Sequence, residues 1–202
     1  MPLSKFQNFK ILLASQSPRR KFLIGELGFP FETISNRDVE EVFPPNLKRE
    51  EIALFLAELK ANAYKDLLID NNTIIITADT IVWLENKILH KPKDKADAVN
   101  ILKKLSGKMH EVITGVSICS KQKNNTFCSI TKVYFENLKD EEIEHYLENY
   151  KPYDKAGAYG VQEWIGYIGV KKIEGSFFNV MGLPIQKVYK VLEKMVNEIQ
   201  NV

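Results

Sequence analysis

Short apolar runs alternate with helical patterns at the start of the chain. Residues 11–14 form an apolar run typical of a buried strand. Ser17 and Pro18 follow as a good N-cap and a good first helical residue, and Gly28 is a typical helix stop. We therefore predict a strand, a polar turn and a helix whose apolar side carries Phe22, Leu23 and Leu27.

A second strand is predicted at 31–35, followed by a helix from about 47 to 68. Its apolar residues recur at helical spacing, which places Lys60 one residue along from the apolar face. The β-branched run 73–77 is too apolar for an edge strand and is predicted to be central. It delivers Asp79 at its C-terminal end, where α/β sheets hold ligands.

Hairpins and capped helices are predicted for the rest of the chain. Residues 81–84 and 88–89 flank a turn at 85–87, and Asp94 caps the helix after it. Two strands at 112–120 and 127–135 are expected to pair antiparallel. The remaining predicted elements are a short helix capped by Asp140, a Gly-rich loop at 153–162, a strand at 166–170 and a final helix opened by Pro184.

This order of elements predicts an α/β fold with a mixed sheet flanked by helices, formed by one domain over residues 1–202. The domain is expected either as one body or as two lobes around a cleft. No internal repeat or low-complexity linker interrupts it. Neither GxGxxG after a strand nor GxxxxGK[ST] occurs, so the two commonest nucleotide motifs are absent.

Composition and charge narrow the class of protein. The chain is 45% hydrophobic and 27% charged, which is the profile of a folded domain. Its formal charge of +2 is too small for a protein that binds nucleic acid through the phosphate backbone. No apolar run approaches the roughly 20 residues that span a bilayer. We expect a cytoplasmic protein with neither a membrane nor a nucleic-acid partner.

The cysteines and histidines do not form a metal-binding pattern. Cys119 and Cys128 fall on the two arms of a predicted hairpin and are interpreted as small core residues in a reducing compartment. The three histidines, His90, His110 and His145, share no ligand spacing. A zinc site is therefore not expected.

The turn at 15–20 is the first candidate for chemistry. It places hydroxyls at a helix N-terminus, where unpaired N–H groups and the helix dipole favour an anion. Arg19 and Arg20 add planar guanidinium groups that match phosphate oxygens. The alternative, a capping Ser17 followed by two solvated arginines, stays open at this point.

Asp79 is the second candidate, because a carboxylate after an apolar run needs a metal or a proton donor. A structural role in accepting loop amides is the alternative. Glu41 lies in a charged loop and matters only if that loop folds toward Asp79. Lys60 and Lys91 are solvent-exposed by default, although Pro92 fixes the backbone after Lys91. The residues alone thus indicate an anion or phosphoester site, without naming a reaction.

The segment 13–20, LASQSPRR, resembles the opening signature of the Maf family of nucleotide pyrophosphatases. Further blocks similar to that family follow in order at 78–82, 91–92, 105–107, 114–116, 154–162 and 182–184. The resemblance implies hydrolysis of a nucleoside triphosphate to a monophosphate and pyrophosphate with Mg²⁺ or Mn²⁺. It also implies an elongated mixed sheet like that of inosine triphosphatases, two lobes around a cleft, and a homodimer.

The resemblance assigns roles residue by residue. Asp79 matches the catalytic aspartate, to which we give the general-base role, and Glu41 with Asp79 matches the metal-binding carboxylates. The phosphate-binding positions correspond to Ser17, Arg19, Arg20, Lys60 and Lys91. Residues 35–41 are one residue longer than the common pattern, so Glu40 is an alternative to Glu41.

The loop 154–162, DKAGAYGVQ, is similar to the branch of the family that acts on dTTP and UTP. Arg19, Thr80 and Gln162 occupy its specificity positions. Glu163 and Trp164 depart from the small residues common there, which leaves the shape of the base pocket open. The alternatives are a nucleotide-binding regulator of cell division that acts through a partner, and a 7-methyl-GTP pyrophosphatase.

Overall fold

The computed structural model describes residues 3–35 and 37–200. The strands are β1 (Lys10–Leu13), β2 (Glu32–Thr33), β3 (Thr73–Leu84), β4 (Lys87–Leu89), β5 (Met109–Ser120), β6 (Asn124–Phe135) and β7 (Val170–Glu174). The α-helices are α1 (Pro18–Gly25), α2 (Glu50–Asn62), α3 (Lys95–Leu105), α4 (Asp140–Tyr150), α5 (Trp164–Gly169), α6 (Phe177–Val180) and α7 (Ile185–Gln200). Short 3₁₀ helices lie at Ser4–Phe6, Lys65–Leu67 and Ala156–Ala158.

All seven strands belong to one sheet in the order β2-β1-β3-β5-β6-β7, with β4 paired to β3 off this path. β1 runs parallel to both β2 and β3, and Leu13 is the last residue of β1 in register with β3, opposite Ile76. The β3–β4 and β6–β7 pairs are antiparallel. Only three residues join β5 to β6, too few for a parallel crossover, so these strands are antiparallel as predicted. The mixed α/β fold is confirmed.

The described residues divide into two compact units. The first comprises those within 1–79, 114–129 and 182–202, and the second those within 80–113 and 130–181. In the first unit Leu12, Ala14, Tyr64 and Ile75 pack into one apolar cluster. In the second, a larger cluster joins α3 and α4 to strand residues such as Val82 and Val133. Asp79 is the last residue of the first unit in β3.

Several local predictions are confirmed. Pro18 is the first residue of α1, and Ser17 caps that helix. Asp94 caps α3, its carboxylate accepting the Asp97 N–H at 2.8 Å. The β3–β4 hairpin turns through Glu85 and Asn86, which both have positive φ (47° and 64°) as a tight two-residue turn requires.

Other predictions are wrong in their boundaries. Residues 73–77 and 81–84 are not separate strands, since β3 is continuous from Thr73 to Leu84. The second strand is only Glu32–Thr33, α1 ends at Gly25 rather than near Gly28, and α2 covers Glu50–Asn62 instead of about 47–68. Just after α2 ends, the carbonyl of Ala63 accepts a hydrogen bond from Arg37, and a separate 3₁₀ turn follows.

Two further corrections concern the second unit. The predicted strand 166–170 is mostly the short helix α5, in which Gly166 approaches the carbonyl of Val161 so closely that a Cβ would lie 2.0 Å from the oxygen. A strand, β7, begins only at Val170. Asp140 is the first residue of α4 rather than its cap. Lys139 is the N-cap, and its N–H donates to the Glu142 carboxylate at 2.8 Å.

Neither cysteine is in a disulfide: Cys119 is buried and Cys128 is half-buried. Burial raises the pKa of both thiols. Across residues 3–35 and 37–200, no helix combines the length and apolar character needed to cross a bilayer.

Candidate active site

The N-terminus of α1 follows β1 after a four-residue turn. Ser17 Oγ accepts the N–H of Arg20 at 3.5 Å, and the N–H of Ser17 donates to Ser15 Oγ at 3.3 Å. Pro18 occupies the first helical position, where its missing N–H leaves no bond unmade. Ser17 therefore caps α1, as both interpretations of this turn predicted, and the helix N-terminus keeps its preference for anions.

Arg20 is held by backbone carbonyls from two distant parts of the first unit. Its Nε donates to the carbonyl of Gly182 and its Nη1 to the carbonyl of Ala78, both at 2.8 Å, and Nη1 also lies 3.4 Å from Ser15 Oγ. Burial lowers the pKa of the guanidinium, and the nearby Asp79 carboxylate opposes that shift. Sequence reasoning treated Arg20 as a phosphate ligand and missed that it joins α1 to β3 and to the turn before α7.

Lys60, Glu41 and Asp79 meet in the first unit. Lys60 lies in the last turn of α2, and its Nζ is 2.5 Å from Asp79 Oδ1 and 2.8 Å from Glu41 Oε1. The side chains of Lys60 and Asp79 are 20% and 12% exposed, whereas that of Glu41 is 49% exposed. The loop thus folds toward Asp79, and Glu41 rather than Glu40 contacts Lys60.

Asp79 does not lie where the sequence analysis placed it. It is an interior residue of β3 and not the residue at its C-terminal end. The polar side chains in this part of the strand have partners. The hydroxyl of Thr77 donates to the carbonyl of Ala57 at 2.7 Å, and Asp79 is paired with Lys60. The pairing of β1 with β3 ends at Ile76, so Asp79 lies three residues beyond the last residue of β3 that pairs with β1.

The loop that carries Glu41 is fastened to the end of α2. Arg37 binds both carboxylate oxygens of Asp66, at 2.5 and 2.7 Å, and its guanidinium lies 5.1 Å from the centre of the Tyr64 ring. The hydroxyl of Tyr64 accepts the N–H of Arg37 at 2.9 Å and donates to the carbonyl of Ser35 at 3.0 Å. No motif marked these residues beforehand, because the contacts join positions almost 30 residues apart.

The carboxylates of Glu41 and Asp79 fit a divalent cation that is also bound to a phosphate ligand. Glu41 and Asp79 bring two carboxylates within 2.8 Å of one ammonium group, so both already face a single positive charge. Among the residues that the structure describes, no group of three or more His, Cys, Asp or Glu side chains could hold a metal. Mg²⁺ commonly takes one or two protein carboxylates, with water and substrate phosphates completing its shell.

The other candidate residues belong to the second unit. Thr80 follows Asp79 in β3 and is half-buried, and Lys91 is exposed between β4 and α3. Gln162 precedes α5, and its carbonyl accepts the hydroxyl of Tyr167 at 2.7 Å. The side-chain oxygen of Gln162 is buried and has no hydrogen-bond partner in the described part of the chain. A buried amide oxygen without a donor is costly unless a ligand supplies one.

The fold and this cluster define an α/β protein with a capped helix N-terminus beside a paired carboxylate. The sequence profile described as Maf-like protein matches residues 10–195, and the chain belongs to that family.

The similarity to known proteins covers nearly the whole chain. A relative from Phocaeicola vulgatus, named dTTP/UTP pyrophosphatase, is 50% identical over 193 residues, which are 96% of this chain and 100% of the relative. A relative of the same name from Flavobacterium johnsoniae is 52% identical over 192 residues, 95% of this chain and 98% of the relative. Among solved structures, the Ham1 protein of Staphylococcus aureus is 18% identical with a TM-score of 0.42, covering 64% of this chain and 73% of that one.

Proposed function

We propose that this protein hydrolyses dTTP and UTP between the α and β phosphates, releasing the nucleoside monophosphate and pyrophosphate. The contact of Lys60 with both Asp79 and Glu41, near the arginine-bearing start of α1, carries the proposal. Support comes also from relatives that are about half identical over their full length and are named for this activity. Base-modified pyrimidine triphosphates with the same hydrogen-bonding edge belong to the proposed substrate range.

The triphosphate is proposed to bind where positive charge and N–H groups converge. The N-terminus of α1 offers its dipole and its backbone donors, and Arg19 adds a guanidinium. Arg20, tied to the carbonyls of Ala78 and Gly182, adds a positive charge whose position is fixed. Lys60 belongs to the same proposed phosphate-binding set, and Lys91 is included on the family resemblance. Such preorganised charge stabilises the extra negative charge of the transition state.

Asp79 is proposed as the general base. Lys60 contacts its Oδ1 and so orients the carboxylate. The other oxygen, Oδ2, accepts a proton from the water that attacks the α phosphorus, and pyrophosphate leaves with the electrons of the broken P–O bond. General-base catalysis of this kind contributes about 10²- to 10⁴-fold to a rate.

Glu41 and Asp79 are the residues proposed to hold Mg²⁺ or Mn²⁺. When bound, the cation neutralises phosphate charge. Carboxylate oxygens suit both metals, so the donor set alone does not select between them.

Base recognition is proposed for Gln162, with Thr80 and Arg19. A primary amide carries one acceptor and two donors, and it can pair with the N3–H donor and the carbonyl acceptor of a uracil-type base. The buried, unpartnered Oε1 of Gln162 supports this role, since a base N3–H supplies the missing donor. We further propose, on the family resemblance, a homodimer in the cytoplasm without a nucleic-acid partner.

Product analysis across a panel of canonical and modified nucleoside triphosphates tests the proposal. We expect dTTP and UTP to give the monophosphate and pyrophosphate in Mg²⁺ or Mn²⁺, with little turnover of purine triphosphates. Release of inorganic phosphate instead would contradict the bond assignment. Preferred turnover of 7-methyl-GTP would place the chain in another branch, and binding without turnover would favour a nucleotide-binding regulator.

A further inference from the structure

The loop that ends at Gln162 is closed by a buried network of charged side chains in the second unit. Lys155 is only 9% exposed at its side chain, and its Nζ lies 2.8 Å from Asp154 Oδ1 and 3.1 Å from Glu163 Oε1. Tyr146 of α4 has no exposed surface and donates a short hydrogen bond to Glu163 Oε2. Glu163 thus binds a cation through one oxygen and a phenol through the other.

The same network reaches the backbone of the loop. The N–H of Gly160 donates to the hydroxyl of Tyr146 at 3.0 Å, and the N–H of Glu163 donates to the carbonyl of Gly160 at 3.0 Å. A Cβ on Gly160 would lie 2.6–2.9 Å from the carboxylate atoms of Glu163, so only glycine allows the carboxylate to fold back over the loop. Burial and the Glu163 carboxylate raise the pKa of Tyr146, so the phenol keeps its proton and stays the donor.

Gln162 lies between the two residues that this network fixes. Gly160 and Glu163 hold the backbone around it, and Tyr167 holds its carbonyl at 2.7 Å. Its amide oxygen is left buried without a partner within the described residues. The side chain therefore starts from a fixed backbone and presents an unsatisfied acceptor.

The orientation of the Gln162 amide decides which pyrimidine base it can pair with. With its oxygen toward N3 and its NH₂ toward a carbonyl, the amide pairs with uracil or thymine. Turned over, the same amide donates to N3 of cytosine and accepts from the exocyclic amino group. Because the amide can turn over about its Cγ–Cδ bond on any backbone, discrimination depends on where the backbone holds the amide relative to the base. A loose loop can move the amide to suit either base, whereas a fixed loop leaves it placed for one.

We propose that Glu163, anchored by Tyr146 and Lys155, is a positioning residue that fixes Gln162 and so selects uracil- and thymine-type triphosphates over cytosine-type ones. The inference deepens the proposed function and rests on it. It also gives a role to Glu163, one of the positions at which the chain departs from the small residues common in the family.

Steady-state kinetics on UTP and CTP test the inference, with wild type beside Tyr146→Phe and Glu163→Gln. Tyr150→Phe is the matched control, because Tyr150 lies one turn further along α4, stacks on Tyr146 at 5.2 Å and is 40% exposed. In both test variants we expect the UTP-to-CTP ratio of kcat/KM to fall about tenfold, the equivalent of one lost hydrogen bond. The kcat on UTP stays within about twofold, since the network does not touch the reacting phosphates.

Two further measurements are made on the same variants. Calorimetry gives the binding of UMP and CMP, and thermal unfolding gives Tm. We expect weaker UMP binding in the two variants and wild-type values in Tyr150→Phe. A UTP-to-CTP ratio that stays constant while Tm falls would show a merely structural role and overturn the inference. A wild type that turns over UTP and CTP equally would overturn it as well. If wild type neither hydrolyses UTP nor binds UMP, the proposed function itself fails and the inference fails with it.

Discussion

Lys60 on α2 and Asp79 inside β3 form an ion pair of 2.5 Å that joins the helix to the strand at the proposed site of hydrolysis. Both side chains are mostly buried, at 20% and 12% exposed. Lys60 also contacts Glu41 at 2.8 Å, so one ammonium group organises two carboxylates from different segments. The proposed hydrolysis depends on this arrangement.

Glu41 and Glu40 provide a neighbouring pair for testing the metal proposal. Glu41→Gln removes one of the two carboxylates that face Lys60, so we expect the Mg²⁺ concentration for half-maximal activity to rise about tenfold or more. Glu40→Gln is the control, because Glu41 is the residue in contact with Lys60. Mn²⁺ binding to the substrate-free protein, followed by electron paramagnetic resonance, gives a readout besides activity. Equal effects of the two substitutions would contradict the assignment of Glu41.

Arg20 is expected to contribute to stability as well as to activity. A lysine cannot replace both bonds of the guanidinium to the carbonyls of Ala78 and Gly182. Leaving a buried carbonyl unpaired costs about 1–3 kcal/mol. Arg20→Lys should therefore lower Tm by about 2–12 °C in a chain of this length.

Arg19→Lys is the matched variant for Arg20→Lys. Arg19 is half-buried, and we propose that it serves the phosphates, so the substitution should raise KM and lower Tm by less than Arg20→Lys does. Thermal unfolding and steady-state kinetics on both variants separate the two roles. Similar Tm values for the two variants would contradict the structural role of Arg20.

Gly115 allows β5 to pack directly against α2. A Cβ at this position would lie 2.0 Å from the carbonyl oxygen of Ala53. Gly115→Ala should cost about 1–3 kcal/mol of unfolding free energy, measured by urea denaturation. Gly25→Ala in α1 is the control, since the nearest atom to its new Cβ is 3.9 Å away and alanine favours a helix by up to about 1 kcal/mol. Wild-type stability in Gly115→Ala would contradict the close approach.

His110 should make the protein acid-sensitive. It is 1% exposed, its Nε2 lies 2.7 Å from the Tyr159 hydroxyl, and burial lowers its pKa from 6.5 to about 3. Between pH 6.5 and about 3, His110 therefore carries a proton in the unfolded chain and lacks it in the folded chain. Stability from this group is present above pH 6.5 and is lost as pH falls, by about 2 kcal/mol at pH 5.

The pH dependence of unfolding in His110→Phe checks this origin. Phenylalanine keeps the aromatic packing against Phe135, whose ring centre is 5.2 Å away. We expect the loss of unfolding free energy between pH 7 and pH 5 to shrink by about 2 kcal/mol relative to wild type. His145→Phe, on an exposed part of α4, should keep the wild-type slope. An unchanged pH dependence of the unfolding free energy in His110→Phe would show that another group causes the acid sensitivity.

Local signals predicted local structure well. Ser17 and Pro18 mark the start of α1, Asp94 marks the start of α3, and Glu85 with Asn86 marks the β3–β4 turn. Each of these depends on bonds or backbone angles within a few residues. A pattern along the sequence can therefore show them.

Errors arose where a distant partner decides the structure. Asp79 lies inside a strand and pairs with Lys60, 19 residues earlier. Gly166 lies against the carbonyl of Val161 with no room for a side chain, and Arg20 is bound to the carbonyls of Ala78 and Gly182. Residue types predicted that charges would gather near Asp79, but not which charge would contact which. Those pairings come from tertiary packing.

Pyrophosphate release from dTTP by wild type and by Asp79→Asn tests the central claim most directly. Asparagine keeps the shape of the side chain and an oxygen for Lys60 but cannot accept the proton, so we predict that kcat falls about 10²- to 10⁴-fold. Asp140→Asn, at an exposed position of α4, should retain wild-type turnover. Wild-type turnover by Asp79→Asn, with folding confirmed by an unchanged Tm, would contradict the account.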